Sequence, residues 1–115
     1  MHDEHPEWFF AGYANMYGFA GGYRPMINYE IAAVRAFMMR GFRELVERYD
    51  ADGLQLDFTR YPSLFHPDRA WGNTQLLTEY VAQIRAMLDD VGRAKGRRLA
   101  CAPQVAAYPG HGIPY

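Results

Sequence analysis

Residues Tyr49–Pro62 read YDADGLQLDFTRYP, and this stretch decides how the rest of the chain is interpreted. An Asp-Gly turn signal precedes a short strand predicted over residues 53–57. Side chains alternate along a strand, so the two leucines share one face while Gln55 and Asp57 share the other. Burying an amide and a carboxylate is costly unless they find partners or face a wet cavity. The pattern therefore predicts one face towards a core and one towards a ligand cavity.

Two amphipathic segments flank this strand and define its connections. A helix is predicted over residues 28–49, with its first residue as the N-cap, and a second over residues 74–95. A second strand is predicted over residues 98–102. Two strands joined by a helix of about 20 residues form a βαβ unit, which is parallel and right-handed. Both strands then end at one edge of the sheet, where Asp57 and Gln104 lie.

Asp57 is the strongest functional candidate in the chain. It ends its strand just before a long loop, and catalytic residues of α/β barrels and open α/β sheets lie at this end of the strands. Arg60 follows closely and favours the ionised carboxylate. The alternative is that Asp57 only braces the loop through Arg60. His66 lies in the same loop, where it either bonds a substrate or is an ordinary loop histidine.

Aromatic residues make up 16% of the chain and are concentrated in predicted loops. Trp8, Tyr61 and Trp71 are the candidates to line a cleft, since aromatic faces stack on the apolar face of a sugar ring. Ordinary packing of large side chains explains most of the others and remains open for these three.

The sequence also resembles a known family. The run from Asp50 to Pro62 is similar to strand four of the bacterial glycoside-hydrolase-like TIM barrels. Upstream, the helix opening Asn28–Arg35, with its Val-Arg pair, and His5–Trp8 fit the same pattern. The resemblance extends from about His5 to Val105 and is specific between Asp50 and Pro62. It implies a (β/α)8 barrel that acts on carbohydrate, with the two predicted strands as barrel strands four and five.

The expected fold class is therefore α/β, a partial TIM barrel built on a βαβ unit with parallel strands. A complete barrel needs roughly 250 residues, so the 115 residues are expected to be a fragment of a single barrel domain. The expected function is hydrolysis of an O-glycosyl bond, without a cofactor or a metal. The candidate site has Asp57 as the catalytic carboxylate and, as substrate-binding residues, Gln55, Arg60, Tyr61, Gln104, Trp8 and His66.

Two alternatives to hydrolysis stay open. Glycosidases normally use two carboxyl groups, and no second one is evident after the next strand, where Pro103 and Gln104 stand. A barrel that binds sugar without cleaving it fits this pattern. A metal-dependent barrel enzyme, in which Asp57 holds a divalent ion, is the other alternative.

Composition narrows the classes of partner. Twelve basic and thirteen acidic residues give a net charge of −1, which does not favour nucleic acid or an anionic membrane. No apolar run approaches the roughly 18 residues of a membrane span. The single cysteine excludes an internal disulfide and leaves the cellular compartment open. The start of the chain lacks the order of charges and apolar residues of a signal peptide.

Overall fold

Over its described residues, the protein is a mixed α/β chain with two long helices and two pairs of strands. The structure, a computed structural model, describes residues 3–11, 25–59 and 64–105. Short 3₁₀ helices occupy Pro6–Trp8, Pro67–Arg69 and Trp71–Asn73. The longer elements are, in chain order, β1 (Phe9–Ala11), β2 (Pro25–Ile27), α1 (Ala32–Arg48), β3 (Gly53–Asp57), α2 (Thr74–Lys95) and β4 (Ala100–Gln104).

Strands β3 and β4 are parallel neighbours, joined by α2, which confirms the predicted βαβ unit. Their register places Gly53 beside Ala100 and Asp57 beside Gln104. Strands β1 and β2 form a separate antiparallel pair. Strand β2 was not predicted, because a three-residue strand that starts with proline has the composition of a loop.

Strand β4 begins and ends two residues later than the strand predicted over residues 98–102, and Pro103 lies inside it. The ladder explains why proline is tolerated. Ala100 N donates to Asp52 O (2.7 Å) and Phe58 N donates to Gln104 O (3.0 Å), so the even-numbered residues of β4 bond to β3. The nitrogen of Pro103 therefore points away from β3, and its missing N–H removes no bond from this pair.

Helix α2 supplies most of the core. Its bounds, Thr74–Lys95, agree with the prediction, and Gly96 ends it in the left-handed region at φ 68°. Gly96 N donates back to Arg93 O, at 3.2 Å, as expected for a glycine C-cap. The core cluster consists of the buried residues Val46, Leu56, Tyr80, Ile84, Met87, Leu88, Val91 and Leu99.

Helix α1 differs from its prediction at the start and on its buried face. It begins at Ala32 with Ile31 as its N-cap residue, not at Asn28. The side-chain oxygen of Asn28 instead accepts a hydrogen bond from Glu30 N, at 3.0 Å. Tyr29 N donates to Leu64 O at 2.9 Å, which holds this turn against the loop after β3. This contact between distant residues delays the helix by one turn.

The three- to four-residue spacing of apolar residues in the predicted helix 28–49 defines an apolar stripe that includes Leu45 and Tyr49, but these side chains are 48% and 62% exposed. Val34 and Val46 are the buried residues of the helix. The stripe is rotated because α1 packs mainly against α2 and makes fewer contacts with β3. Phe37, at 37% exposed, lies on the outer side.

The fully buried Leu88 gives a direct test of this core. Leu88→Ala should lower the free energy of unfolding by about 2–5 kcal/mol, because it removes apolar contacts and leaves a cavity between α2 and the sheet. Urea unfolding followed by circular dichroism measures the change. Leu45→Ala, on the exposed side of α1, is the matched control, with an expected loss of about 1 kcal/mol or less. Equal losses for both variants would contradict this packing.

Candidate functional site

The two faces of the β3–β4 pair have opposite character. Leu56 is buried towards α2, whereas Gln55, Asp57 and Gln104 are exposed on the other face. The alternation expected from the sequence is therefore present. Gln104 is the residue beside Asp57 in the register. The carboxyl ends of the two strands thus bring a carboxylate and two amides onto one open surface.

Asp57 is held by the residue two positions later. Thr59 N donates to Asp57 Oδ1 at 2.8 Å, and Thr59 Oγ1 donates to the same oxygen at 2.6 Å. A carboxylate that accepts a hydrogen bond from the backbone N–H two residues later forms an Asx turn. The spacing of Asp57 and Thr59 in the sequence is the signal that could have identified Thr59 as its partner. Thr59 was not among the site residues predicted from the sequence.

Gln104 joins the two strands across the same face. Its Nε2 donates to Thr59 Oγ1 at 3.2 Å, across 45 positions of the chain. Its Oε1 accepts a hydrogen bond from Gln55 Nε2, across 49 positions. We call Gln55, Asp57, Thr59 and Gln104 the polar-face network. Two of the predicted substrate-binding residues, Gln55 and Gln104, thus connect through Thr59 to the predicted catalytic carboxylate.

Two other predicted site residues, Arg60 and Tyr61, lie outside the described residues. The proposed influence of Arg60 on Asp57 stays a prediction. So does the proposed place of Tyr61 in a cleft.

The loop that carries His66 is fixed to the start of α1. Glu30 Oε1 accepts hydrogen bonds from Arg69 Nε (3.0 Å) and Asn73 Nδ2 (2.9 Å), and Phe65 is 3% exposed. His66 is half-buried: its Nδ1 lies 3.5 Å from Asp68 Oδ2, and its ring centroid lies 6.0 Å from that of Phe10. This part of the predicted loop Phe58–Gly72 therefore packs against the body of the domain.

The two tryptophans occupy different environments. Trp8 stacks on His5, with ring centroids 4.1 Å apart, and meets the edge of Phe37 on α1 at 5.6 Å. Trp71 precedes α2 and is 72% exposed. Trp8 thus has two aromatic partners within the protein, whereas Trp71 presents a large apolar surface to solvent.

An apolar groove of about 310 Å³ lies at the carboxyl ends of β3 and β4, on the side of α2. Phe58 and Pro103, which line it, are the chain neighbours of Asp57 and Gln104. The groove and the polar-face network therefore meet at the ends of the strands. Its lining residues are Phe58, Leu64, Thr74, Leu77, Thr78, Val81, Pro103 and Val105.

A pair of tyrosines beneath the loop is structural. Burial raises the pKa of Tyr80 well above its usual range, and it raises the pKa of Tyr29 as well. Tyr80 Oη donates to Arg35 O at 3.1 Å, which joins α2 to α1. Both phenols stay protonated at neutral pH, so they serve as fixed packing groups rather than as acids.

The described part of the chain holds no group of three or more His, Cys, Asp or Glu side chains placed to bind a metal ion. None of the helices in the described ranges has the length and apolar character needed to cross a membrane. No protein-family model matches the chain, and no curated protein matches it.

Proposed function

We propose that the chain is part of a carbohydrate-active (β/α)8 barrel, a glycoside-hydrolase-like domain in which Asp57 is the catalytic carboxylate. One observation carries the proposal. The parallel register places Asp57 beside Gln104 at the carboxyl ends of β3 and β4, on a polar face with Gln55. Carboxylates and amides are well suited to bind several sugar hydroxyls, because they supply acceptors and donors close together.

The barrel proposal is supported by the way the two faces divide. In a TIM barrel, each helix covers the outside of the sheet, and the strand ends carry the site residues. Helix α2 covers the apolar face of β3 and β4, and the polar residues lie on the opposite face near the strand ends. We assign β3 and β4 to consecutive strands of such a barrel, with the polar face turned inward.

Within this proposal, Asp57 acts as a nucleophile or as a stabiliser of the cationic transition state. Thr59 gives two hydrogen bonds to one oxygen of Asp57, and hydrogen bonds to the charged form favour ionisation. An ionised carboxylate is suited to these roles, whereas the proton donor must be a protonated carboxyl group. We assign the donor to a further strand of the barrel.

Binding without cleavage is the second candidate, because a specific observation favours it. On β3 and β4, as far as the structure describes them, the polar face carries a single carboxylate beside two amides. One carboxylate with two amides is sufficient to hold a sugar, but it is not the usual pair for hydrolysis.

A panel of oligosaccharides and aryl glycosides separates the two candidates. Saturation-transfer NMR measures binding, and release of reducing sugar measures cleavage. We expect at least one neutral oligosaccharide to bind. Its constituent monosaccharide should compete for the same site. Binding with turnover supports the hydrolase, and binding without turnover supports the sugar-binding protein. If no sugar binds at millimolar concentration, the carbohydrate proposal is wrong.

A further inference from the structure

The hydrogen bonds of the polar-face network run in one direction. An ionised carboxylate can only accept, so the Thr59 hydroxyl must donate its proton to Asp57. The Thr59 oxygen then accepts from Gln104, which must turn its NH₂ group towards it. The carbonyl oxygen of Gln104 consequently faces Gln55, whose NH₂ group donates to it. The charge on Asp57 thus fixes the orientation of both amides.

We propose that this chain of hydrogen bonds makes Gln55 present its carbonyl oxygen to a ligand while Asp57 is ionised, and its NH₂ group when Asp57 is protonated. In the ionised state, the NH₂ group of Gln55 is engaged with Gln104, so its carbonyl oxygen lies outside the chain. It is available to accept a hydrogen bond from a donor such as a sugar hydroxyl.

Protonation of Asp57 reverses the chain. The reversal requires the proton from solvent to bind Oδ1, which then donates to Thr59 Oγ1 while still accepting from Thr59 N. The Thr59 hydroxyl then donates to the carbonyl oxygen of Gln104. Gln104 donates in turn to the carbonyl oxygen of Gln55. The change needs a rotation of the Thr59 hydroxyl and a rotation of each of the two amide groups, and the amide torsions have a broad and roughly two-fold energy profile. The same site therefore offers an acceptor in one state and a donor in the other.

Other ionisable groups near Asp57 would also affect its charge, apart from the hydrogen-bond chain. Among the described residues of β3 and β4, the additional ionisable side chain is Cys101, which packs against the core on the opposite face. Helices α1 and α2 lie on that opposite face as well. Arg60 and Tyr61 follow Asp57 in the chain and lie outside the described residues. The effect of any further charge on Asp57 does not require the Thr59 hydroxyl, so variants of Thr59 separate it from the coupling.

The coupling predicts a specificity. The identity of the ligand, a sugar with a free hydroxyl opposite Gln55, rests on the proposed function. At neutral pH, the carbonyl oxygen requires a donor, so an O-methyl ether at that position, which can only accept, should bind less tightly. One net hydrogen bond corresponds to a difference of about 2- to 13-fold. The penalty should shrink once Asp57 is protonated.

NMR of the whole chain tests the coupling without any sugar. The ¹³C carboxyl signal of Asp57 and the side-chain amide signals of Gln55 are followed through a pH titration of three proteins: wild type, Thr59→Val and Thr59→Ser. In the wild type, the Gln55 signals should move with the midpoint of Asp57. Thr59→Val removes the hydroxyl at nearly constant volume and should abolish most of that movement, while Thr59→Ser should restore it.

Thr78→Val is the control, because the Thr78 hydroxyl donates to Thr74 O within α2 at 3.1 Å. It should leave the titration unchanged. Gln104→Leu breaks the same chain at another residue and replaces Thr59→Val if that variant does not fold. A Gln55 signal that ignores Asp57 in the wild type, or that still follows it in Thr59→Val or Gln104→Leu, overturns the inference. Because no ligand is present, failure of the carbohydrate proposal leaves this result intact.

Discussion

In the proposed glycoside hydrolase, Asp57→Asn should reduce turnover by about 10²-fold or more, because it removes the charge that acts as nucleophile or stabilises the cationic transition state. The substitution removes the negative charge while keeping the size of the side chain and an oxygen that accepts from Thr59. Because Asp57 is exposed, the melting temperature should stay within about 3 °C. Turnover of the best glycoside in the panel and differential scanning calorimetry measure the two quantities.

Asp52→Asn is the matched control, at the other end of the same strand. The Asp52 carboxylate pairs with Arg97 at 2.9 Å and its side chain is 93% exposed, so its loss costs little stability. Turnover should be unchanged in this variant. Full activity in Asp57→Asn would remove Asp57 from the mechanism, whereas sugar binding without measurable turnover in any of the three proteins would favour the sugar-binding candidate.

A large effect on stability is also expected at Gly53, the first residue of β3. Gly53 has a φ of 155°, and a Cβ atom there would lie 2.1 Å from Ala100 O and 2.6 Å from Ala100 N. Both atoms belong to the backbone of the neighbouring strand, so they cannot rotate aside. Gly53→Ala should therefore lower the free energy of unfolding by about 3 kcal/mol or more, through the clash and the unfavourable φ together.

Gly41→Ala provides the control for this prediction. Gly41 lies within α1, and a Cβ atom there meets nothing within 4 Å. Alanine is the better helix former by about 1 kcal/mol, so this variant should be slightly more stable than the wild type. If the strands approach as closely as described, urea unfolding should show a lower free energy of unfolding for Gly53→Ala and a slightly higher one for Gly41→Ala. A neutral Gly53→Ala would mean that β3 and β4 pair in another register.

The parts of the fold that could be predicted from sequence are those determined by local signals. Helix α2 keeps a helical spacing of apolar residues over its whole length and is followed by a glycine, and its predicted bounds agree with the structure. Strand β3 follows an Asp-Gly turn and alternates cleanly, so its span was also correct. In both cases the signal lies within the element and its immediate neighbours.

The parts that could not be predicted depend on residues far apart in the chain. Helix α1 starts late because Tyr29 bonds to Leu64, and its buried face follows the position of α2. In the candidate site, Asp57 and Gln104 were placed at one edge by the βαβ rule. The connection through Thr59 required knowledge of the register, because Thr59 and Gln104 are 45 positions apart.

That separation has a consequence for how the protein folds. Each hydrogen bond between β3 and β4 closes a loop that contains the whole of α2, and the entropy of closing it must be overcome before any of these bonds forms. Helix α2 consists of local contacts and can form earlier on the pathway. The amides of Gln55 and Gln104, 49 positions apart, meet only after the loop has closed. Any activity that depends on them should therefore appear in refolding together with the last cooperative phase, and not with the early gain of helix.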